Sequence, residues 1–397
     1  MSAKPDWPAL LASHPLVERL AKKLVAREAC AAGNLWGSSQ ALVLAALTRR
    51  IDAPFLALCS NESEAEIFAD DLTTLGLAPL LFPARDANGP GGRGHVDADS
   101  LRARLQAAQR LAGPPERRPT LVVASLLALL EPVPAPDELE KKLLHLQVGA
   151  HLELEPLLER LVEAGYTRVP LVERAGEISV RGDILDVYSF AADLPVRIEL
   201  FDQEIESLRT FEPDSQRSVE TLARTSLSLA SDAGGVEDGD GVQPLDLLPE
   251  TAVVVEIEPL RLTDMAEGLR IQSSAHARAF GFLKNARATR RALALQSLPA
   301  GIDFATRSVQ SLALGPREAP AALKELAAKG GRVLVLCAAE GERHRFAELL
   351  GEKPVNLELS VGTLARGFRW DDAVQPLIVV NHSELIGLGQ VRRRAPE

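Results

Sequence analysis

The sequence predicts an α/β chain: a parallel-sheet domain, a strand-rich domain inserted into it, and a second, smaller α/β unit. Three observations predict this order. Apolar strand-like runs alternate with helix-like runs over residues 40–124 and again over 321–380, which is typical of parallel sheets. Between these regions, residues 175–218 alternate with period two, as half-buried strands do. Residues 246–261 then return to a buried strand pattern.

The N-terminal elements follow from hydrophobic periodicity and from end signals. The clearest helix covers residues 61–75, because Asn61 can cap it and Glu64 follows three residues later. Predicted helices cover residues 16–32, 40–50, 61–75 and 99–112. Predicted strands cover residues 55–59, 80–82 and 120–124. This alternation predicts a parallel sheet of the RecA-like or doubly wound kind, with a glycine-rich loop at residues 85–94.

The strand-rich segment follows a predicted helix over residues 153–164. It ends before residues 231–241, whose acidic, glycine-rich composition is typical of mobile segments. We expect the strand within 246–261 to rejoin the first sheet, which would make the strand-rich segment an insertion.

A third unit is predicted from about residue 310. Its helices are expected at residues 321–329 and 340–350, and its strands at 332–337, 355–359 and 377–380. The predicted domains are therefore residues 1–137 with 231–300, an inserted domain at 138–230, and a small α/β domain at 310–397.

Composition excludes several classes of protein. The chain has 397 residues and a net charge of −11, which argues against general coating of DNA. Cys30, Cys59 and Cys337 are widely spaced, so neither a disulfide framework nor a zinc site is predicted. The first 20 residues lack a continuous apolar core, and no apolar run approaches the length of a membrane span, so we expect a cytoplasmic protein.

A candidate binding surface follows from the alternation in residues 196–201. Val196, Ile198 and Leu200 are predicted to face a core, which directs Arg197, Glu199 and Phe201 to the opposite side. Arginine beside an exposed aromatic side chain is typical of an interface hot spot. The residues alone leave an alternative open, in which the sheet is covered on both faces and Phe201 lies in a second small core.

The string GEISVRGDILDVY, continued by PVRIELFDQEIESLRTFEPDSQRS, resembles the second domain of the bacterial transcription-repair coupling factor (Mfd) family and of UvrB. The resemblance implies binding to UvrA, with Arg181, Arg197 and Phe201 at the contacting positions. Ile178 stands where the family usually has an aromatic residue, and Ser189 where it has proline.

The strings GTLARGFRW and LIVVNHSELIG, with Arg392 to Arg394 nearby, resemble the small domain that follows this module in the family. The family pattern continues with an RNA polymerase-binding domain and a DNA translocase, and neither is recognised here. In a longer parent chain, RNA polymerase or the translocase domains would be further partners.

The resemblance also directs attention to a nucleotide site. The turn AGNLWGSSQALV keeps Gly33, Gly37, Ser38 and Ser39, but the glycine spacing is one residue short and no lysine follows Gly37. A working phosphate loop needs that lysine for its charge. We therefore predict a relic loop with no cofactor and no metal, and a chain that is not an enzyme.

Acidic residues offer only weak candidates for chemistry. Glu256 and Glu258 are the nearest match to a metal-organising motif. Asp183 and Asp186 could mimic a catalytic acid pair, although carboxylates at such positions are more often solvated or paired with arginine. The loop at 85–94 has no aromatic residue, so lesion recognition is not predicted.

The leading hypothesis is a non-catalytic adaptor that recruits UvrA during transcription-coupled nucleotide excision repair. Two alternatives stay open. One is an ATP- or DNA-dependent enzyme of the helicase lineage with an atypical nucleotide site. The other is a decoy that competes with UvrB for UvrA.

Overall fold

The computed structural model describes residues 6–28, 30–84, 98–189, 192, 194–229, 241–272, 278–309, 319–328, 330–371 and 376–385. The predicted loop at 85–94, the arginines at 392–394 and almost all of the acidic stretch at 231–241 lie outside these residues. The chain divides into two compact units. Unit 1 comprises residues 1–81, 120–126 and 250–397, and unit 2 comprises residues 82–119 and 127–249.

Helices occur in both units. In chain order they are α1 (Trp7–Ala12), α2 (Pro15–Val25), α3 (Ser39–Thr48), α4 (Glu62–Thr74), α5 (Ala98–Ala112), α6 (Leu126–Leu130), α7 (Pro136–Lys141), α8 (Leu154–Glu163), α9 (Pro259–Gln272), α10 (Ala279–Thr289), α11 (Ala319–Ala328), α12 (Glu340–Leu350) and α13 (His382–Leu385).

Within the described ranges the strands form four separate sheets. In chain order they are β1 (Cys30–Gly33), β2 (Phe55–Cys59), β3 (Leu80–Phe82), β4 (Leu121–Ser125), β5 (Leu143–Gln147), β6 (Thr167–Arg168), β7 (Glu177–Arg181), β8 (Ile184–Val187), β9 (Val196–Phe201), β10 (Glu204–Phe211), β11 (Ser218–Leu222), β12 (Arg224–Ser228), β13 (Val253–Ile257), β14 (Arg291–Leu295), β15 (Ile302–Asp303), β16 (Thr306–Ser308), β17 (Arg332–Cys337), β18 (Leu357–Val361), β19 (Phe368–Trp370) and β20 (Leu377–Asn381).

The larger sheet of unit 1 has the order β15-β1-β14-β13-β2-β4-β3. Its pairs from β15 to β4 are all parallel. The central strands β2, β4 and β13 are buried along their whole length, as expected for a sheet covered on both faces. The α/β class is confirmed, and β13 joins this sheet between β14 and β2, as the sequence predicts.

Local sequence signals are enough to predict α4. The conformation of residues 26–33, by contrast, is determined by tertiary contacts. Asn61 caps α4 as predicted, because its Oδ1 accepts a hydrogen bond from the Glu64 amide at 3.0 Å. The predicted helix over 16–32 is wrong at its C-terminal end. That helix ends at Val25, Arg27 adopts φ 57°, and β1 begins at Cys30. The Ala-rich residues there favour a helix intrinsically, but pairing with β14 and β15 outweighs this preference.

The smaller sheet of unit 1 has the order β16-β19-β20-β17-β18 and mixes parallel with antiparallel pairs. Strand β17 is buried on both faces. Val333 and Val335 pack with α11 and α12, while Leu334 and Leu336 join the core that also contains α3 and β2. The two sheets of unit 1 therefore share a hydrophobic core.

Unit 2 contains a six-stranded sheet in the order β11-β10-β9-β8-β7-β6. The pairs between β7 and β11 are antiparallel hairpins between sequential strands. Helix α8 covers one face of this sheet through Leu157, Leu158 and Leu161. We call this the inner face, and the opposite side the outer face.

No helix within the described ranges combines the length and the apolar character that crossing a bilayer would require.

Candidate functional site

The outer face of the six-stranded sheet carries the predicted binding residues. Period-two alternation buries Ile178, Leu185 and Ile198 on the inner face. The residues between them point outward. Asp186 of β8 lies opposite Arg197 of β9 and Ser179 of β7, and Arg181 of β7 lies on the same face.

Phe201 is the most exposed of the predicted residues. It ends β9 and pairs with Glu204 across a two-residue turn. Asp202 and Gln203 adopt φ 47° and 69°, the conformation of a type I′ hairpin turn. Phe201 belongs to none of the hydrophobic cores formed by the described residues, and it is 70% exposed. The alternative of a second small core around Phe201 is therefore wrong.

The two predicted arginines differ in their surroundings. The Arg181 side chain is 48% exposed and its Nη2 donates to Asp186 Oδ2 at 2.7 Å. The Arg197 side chain is only 17% exposed. Its Nε and Nη2 donate to the two oxygens of Asp186 at 2.7 and 2.9 Å, and its guanidinium lies 4.6 Å from the centroid of the Phe211 ring.

The hydrogen bonds that Arg197 donates to Asp186 raise the pKa of Arg197 above its ordinary value, so the guanidinium stays charged. The structure thus brings Arg181 and Arg197 together on one carboxylate, with Phe201 further along the same face of β9. Their role as partner contacts stays a prediction.

Sequence reasoning did not identify Asp186 as the centre of this cluster. Its side chain is 1% exposed although it is a carboxylate. The sequence does indicate the direction of the Asp186 side chain, since a residue between the buried Leu185 and Val187 must face away from the core. The stacking of Arg197 on Phe211 could not be foreseen, because the register of β9 with β10 shifts between Ile205 and Ser207.

The loop predicted to be a relic phosphate loop connects a strand, β1, to a helix, α3, as a phosphate loop does. The backbone of Arg366, which also belongs to unit 1, is hydrogen-bonded to this loop. The Ser38 amide donates to the Arg366 carbonyl at 3.1 Å, and the Arg366 amide donates to Ser38 Oγ at 3.2 Å. Gly37 has φ 55°, and a Cβ there would lie 2.9 Å from the Arg366 carbonyl oxygen. The loop is thereby used for internal packing.

The remaining loop residues also have protein partners. Ser39 Oγ lies 3.1 Å from Thr306 Oγ1, which accepts a hydrogen bond from the Trp36 amide at 2.6 Å. A Cβ on Gly33 would lie 2.1 Å from the Ala300 amide nitrogen, so only glycine fits beside that backbone. Packing explains why glycine stands at both positions, without any requirement for phosphate.

The two acidic candidates, Glu256 and Glu258, also have hydrogen-bond partners within the protein. Arg287 donates to both oxygens of Glu256 at 2.6 and 2.8 Å, and these hydrogen bonds raise the pKa of Arg287. Glu258 Oε1 accepts from Gln40 Nε2 at 2.6 Å and from the Ser297 amide at 2.9 Å. Among the described residues, no group of three His, Cys, Asp or Glu side chains is arranged to hold a metal ion.

Comparison with protein families finds a match within unit 2. Residues 144–232 match the model of the UvrB interaction domain, and this range contains Arg181, Arg197 and Phe201. Residues 144–232 are therefore similar to the UvrB interaction domain, and the predicted residues lie within this segment.

The particular relatives are transcription-repair coupling factors. The chain is 35% identical to that of Bacillus subtilis over 202 residues and 38% identical to that of Myxococcus xanthus over 202 residues. It is 37% identical to that of Mycobacterium tuberculosis over 187 residues. These alignments cover 50%, 49% and 46% of this chain, but only 17%, 17% and 15% of the relatives. The resemblance to this family is thus confirmed over about half of the chain.

Proposed function

We propose that this chain is a non-catalytic adaptor of transcription-coupled nucleotide excision repair that recruits UvrA through the outer face of its UvrB interaction domain. The observation that carries the proposal is that Phe201 is exposed and Arg181 half exposed on one face of a segment similar to that domain. An exposed aromatic ring and a partly exposed guanidinium on the same face are the composition of an interface hot spot.

The geometry supports different tasks for the three residues. Phe201 would enter an apolar pocket of UvrA, because most of its surface is available for burial. Arg181 would pair with an acidic group, since a guanidinium carries five N–H donors and Asp186 takes one of them at 2.7 Å. Arg197 would contribute mainly charge and shape, because most of its side chain is already covered.

Titration of purified UvrA against variants of this chain tests the proposal. We expect Phe201→Ala to weaken binding about 30-fold and Arg181→Ala about tenfold, as for hot-spot truncations. Val162→Ala is the matched control, because Val162 is a 55% exposed apolar residue on α8, which covers the inner face. It should change the affinity by less than about twofold. Undiminished binding by both site variants would refute the proposal.

Absence of ATP turnover is part of the same proposal. The Arg366 backbone pairs with the loop at Ser38, and no lysine is available after Gly37. Phosphate release with ATP, magnesium and DNA should therefore equal that of a blank. Turnover that disappears in a Ser38→Ala variant would instead favour the helicase-lineage enzyme.

The decoy hypothesis uses the same surface, and a repair assay with UvrB present separates it from the adaptor. An adaptor should increase repair of the transcribed strand, whereas a decoy should decrease it. Contacts with RNA polymerase or with translocase domains stay predictions that rest on the family alone.

A further inference from the structure

Asp186 is a carboxylate buried in the middle of the proposed UvrA surface. It lies on β8 between Leu185 and Val187, both fully buried on the other face, and its own side chain is 1% exposed. Three N–H groups from two arginines reach it at 2.7, 2.7 and 2.9 Å. Both of its oxygens are used.

Burial of a carboxylate is costly unless the charge is paired and hydrogen-bonded. Here the compensation comes from two guanidinium groups, so the cluster of Asp186, Arg181 and Arg197 keeps one net positive charge. Arg197 is restrained further by the Phe211 ring and by Gln216 Oε1, which accepts from its Nη2 at 3.3 Å.

These restraints leave the arginines little freedom. A free arginine side chain loses rotamer entropy when it is immobilised in an interface. For Arg197, this rotamer entropy has already been lost on folding. For Arg181, one N–H donor is held by Asp186, while the rest of the half-exposed side chain stays available to a partner.

We propose that Asp186 is a positioning residue, which orients Arg181 and Arg197 for binding to an acidic surface of UvrA without touching UvrA itself. The inference rests on the proposed function. It differs from a purely electrostatic expectation, in which removal of a negative charge from the surface would strengthen binding to an acidic partner.

The test is the dissociation constant of the UvrA complex for Asp186→Asn, which keeps the size of the side chain and removes its charge. We expect binding to weaken about tenfold, as when preorganisation is lost. Glu220→Gln is the charge-matched control, because Glu220 is an exposed acid on β11 of the same sheet. It should stay within about twofold of the wild type. Unchanged or tighter binding by Asp186→Asn would overturn the inference.

A double-mutant cycle separates positioning from general damage to the domain. If Asp186 acts through the arginines, Asp186→Asn should cost at most about threefold when Arg181→Ala is already present. An equal loss in both backgrounds would indicate a merely structural role and overturn the inference. Failure of the proposed function is distinguishable, since Phe201→Ala and Arg181→Ala would then have no effect of their own.

A measurement on the wild-type protein tests the role of Asp186 without any variant, so it can be made even if Asp186→Asn does not fold. In ¹⁵N-resolved spectra, the Arg197 Nε proton should exchange slowly with water, because it is bonded to Asp186 Oδ1 at 2.7 Å. Exchange as fast as that of an exposed arginine would overturn the inference.

Discussion

At the scale of single residues, the outer face shows that period-two alternation along a strand determines which way a side chain points but not how exposed it is. Arg197 and Phe201 point to the same side of β9, yet Arg197 is mostly covered and Phe201 is 70% exposed. The difference arises because Arg197 finds a carboxylate and an aromatic ring on neighbouring strands, whereas Phe201 ends its strand at a tight turn.

This difference predicts unequal effects on stability. Arg197→Ala should lower the free energy of unfolding by about 3 kcal/mol, because it removes two hydrogen bonds from a buried carboxylate. Arg181→Ala should cost less than about 1 kcal/mol, because the Arg181 side chain is half exposed and Arg197 still compensates the buried Asp186 carboxylate. Urea unfolding followed by circular dichroism measures both, and equal losses would contradict the prediction.

Cysteine reactivity provides a second prediction at this scale. Burial raises the pKa of Cys30 to about 11 and of Cys337 to about 12, and it raises the pKa of Cys59 as well. All three thiols are buried, so iodoacetamide at about pH 8 should label none of them in the folded protein and all of them in urea. Mass spectrometry checks this, and rapid labelling of any one in the folded chain would contradict it.

The raised pKa values of these thiols also determine whether the free energy of unfolding rises or falls with pH. Unfolded thiols ionise from about pH 8.5 upward, whereas the folded thiols stay protonated. The unfolded state therefore gains stability as pH rises, and the contribution of these thiols to folding is lost between about pH 8.5 and their folded pKa values.

At the scale of elements, the segment β1–loop–α3 has the form of a nucleotide-binding unit but is used for packing. Its amide and hydroxyl at Ser38 bond to the Arg366 backbone, and Ser39 pairs with Thr306. A backbone carbonyl from the connection between β18 and β19 therefore bonds directly to the loop at the position where a working phosphate loop would cradle a phosphate.

A glycine substitution tests this packing. Gly37→Ala should lower the free energy of unfolding by about 2–3 kcal/mol, since it combines strain at φ 55° with a Cβ only 2.9 Å from the Arg366 carbonyl oxygen. Gly76→Ala is the matched control, because Gly76 has φ 87° but nothing within 4 Å of its Cβ position. It should cost about 1 kcal/mol. Thermal unfolding measures both, and similar costs would show that the close approach is unimportant.

At the scale of the whole molecule, the two sheets of unit 1 are joined by one hydrophobic core. The smaller sheet and its connections contribute buried residues to the core of the larger sheet: Leu334, Leu336, Leu364, Phe368, Trp370, Leu377 and Val379. The smaller sheet therefore contributes to the stability of the larger one. That residues 310–397 form a separate domain stays a prediction.

Shortening the chain tests this dependence. A chain that ends at residue 309 would expose the partners of those seven side chains, each worth about 1.5–3 kcal/mol of burial. We expect it to bind a hydrophobic dye and to unfold over a broad temperature range. A sharp transition at the temperature of the full chain would instead indicate an independent domain.

The sequence alone determined the α/β class, the capped helix α4, the buried strand β2 and the direction of Phe201, because each depends on residues close together in the chain. It did not reveal β1 as a strand or the part played by Asp186 and Arg366. Those depend on partners brought together by folding: Ser38 and Arg366 are 328 positions apart. Local periodicity carries no information about such pairs, and only tertiary packing decides whether a polar group meets water, an ion partner or a backbone carbonyl.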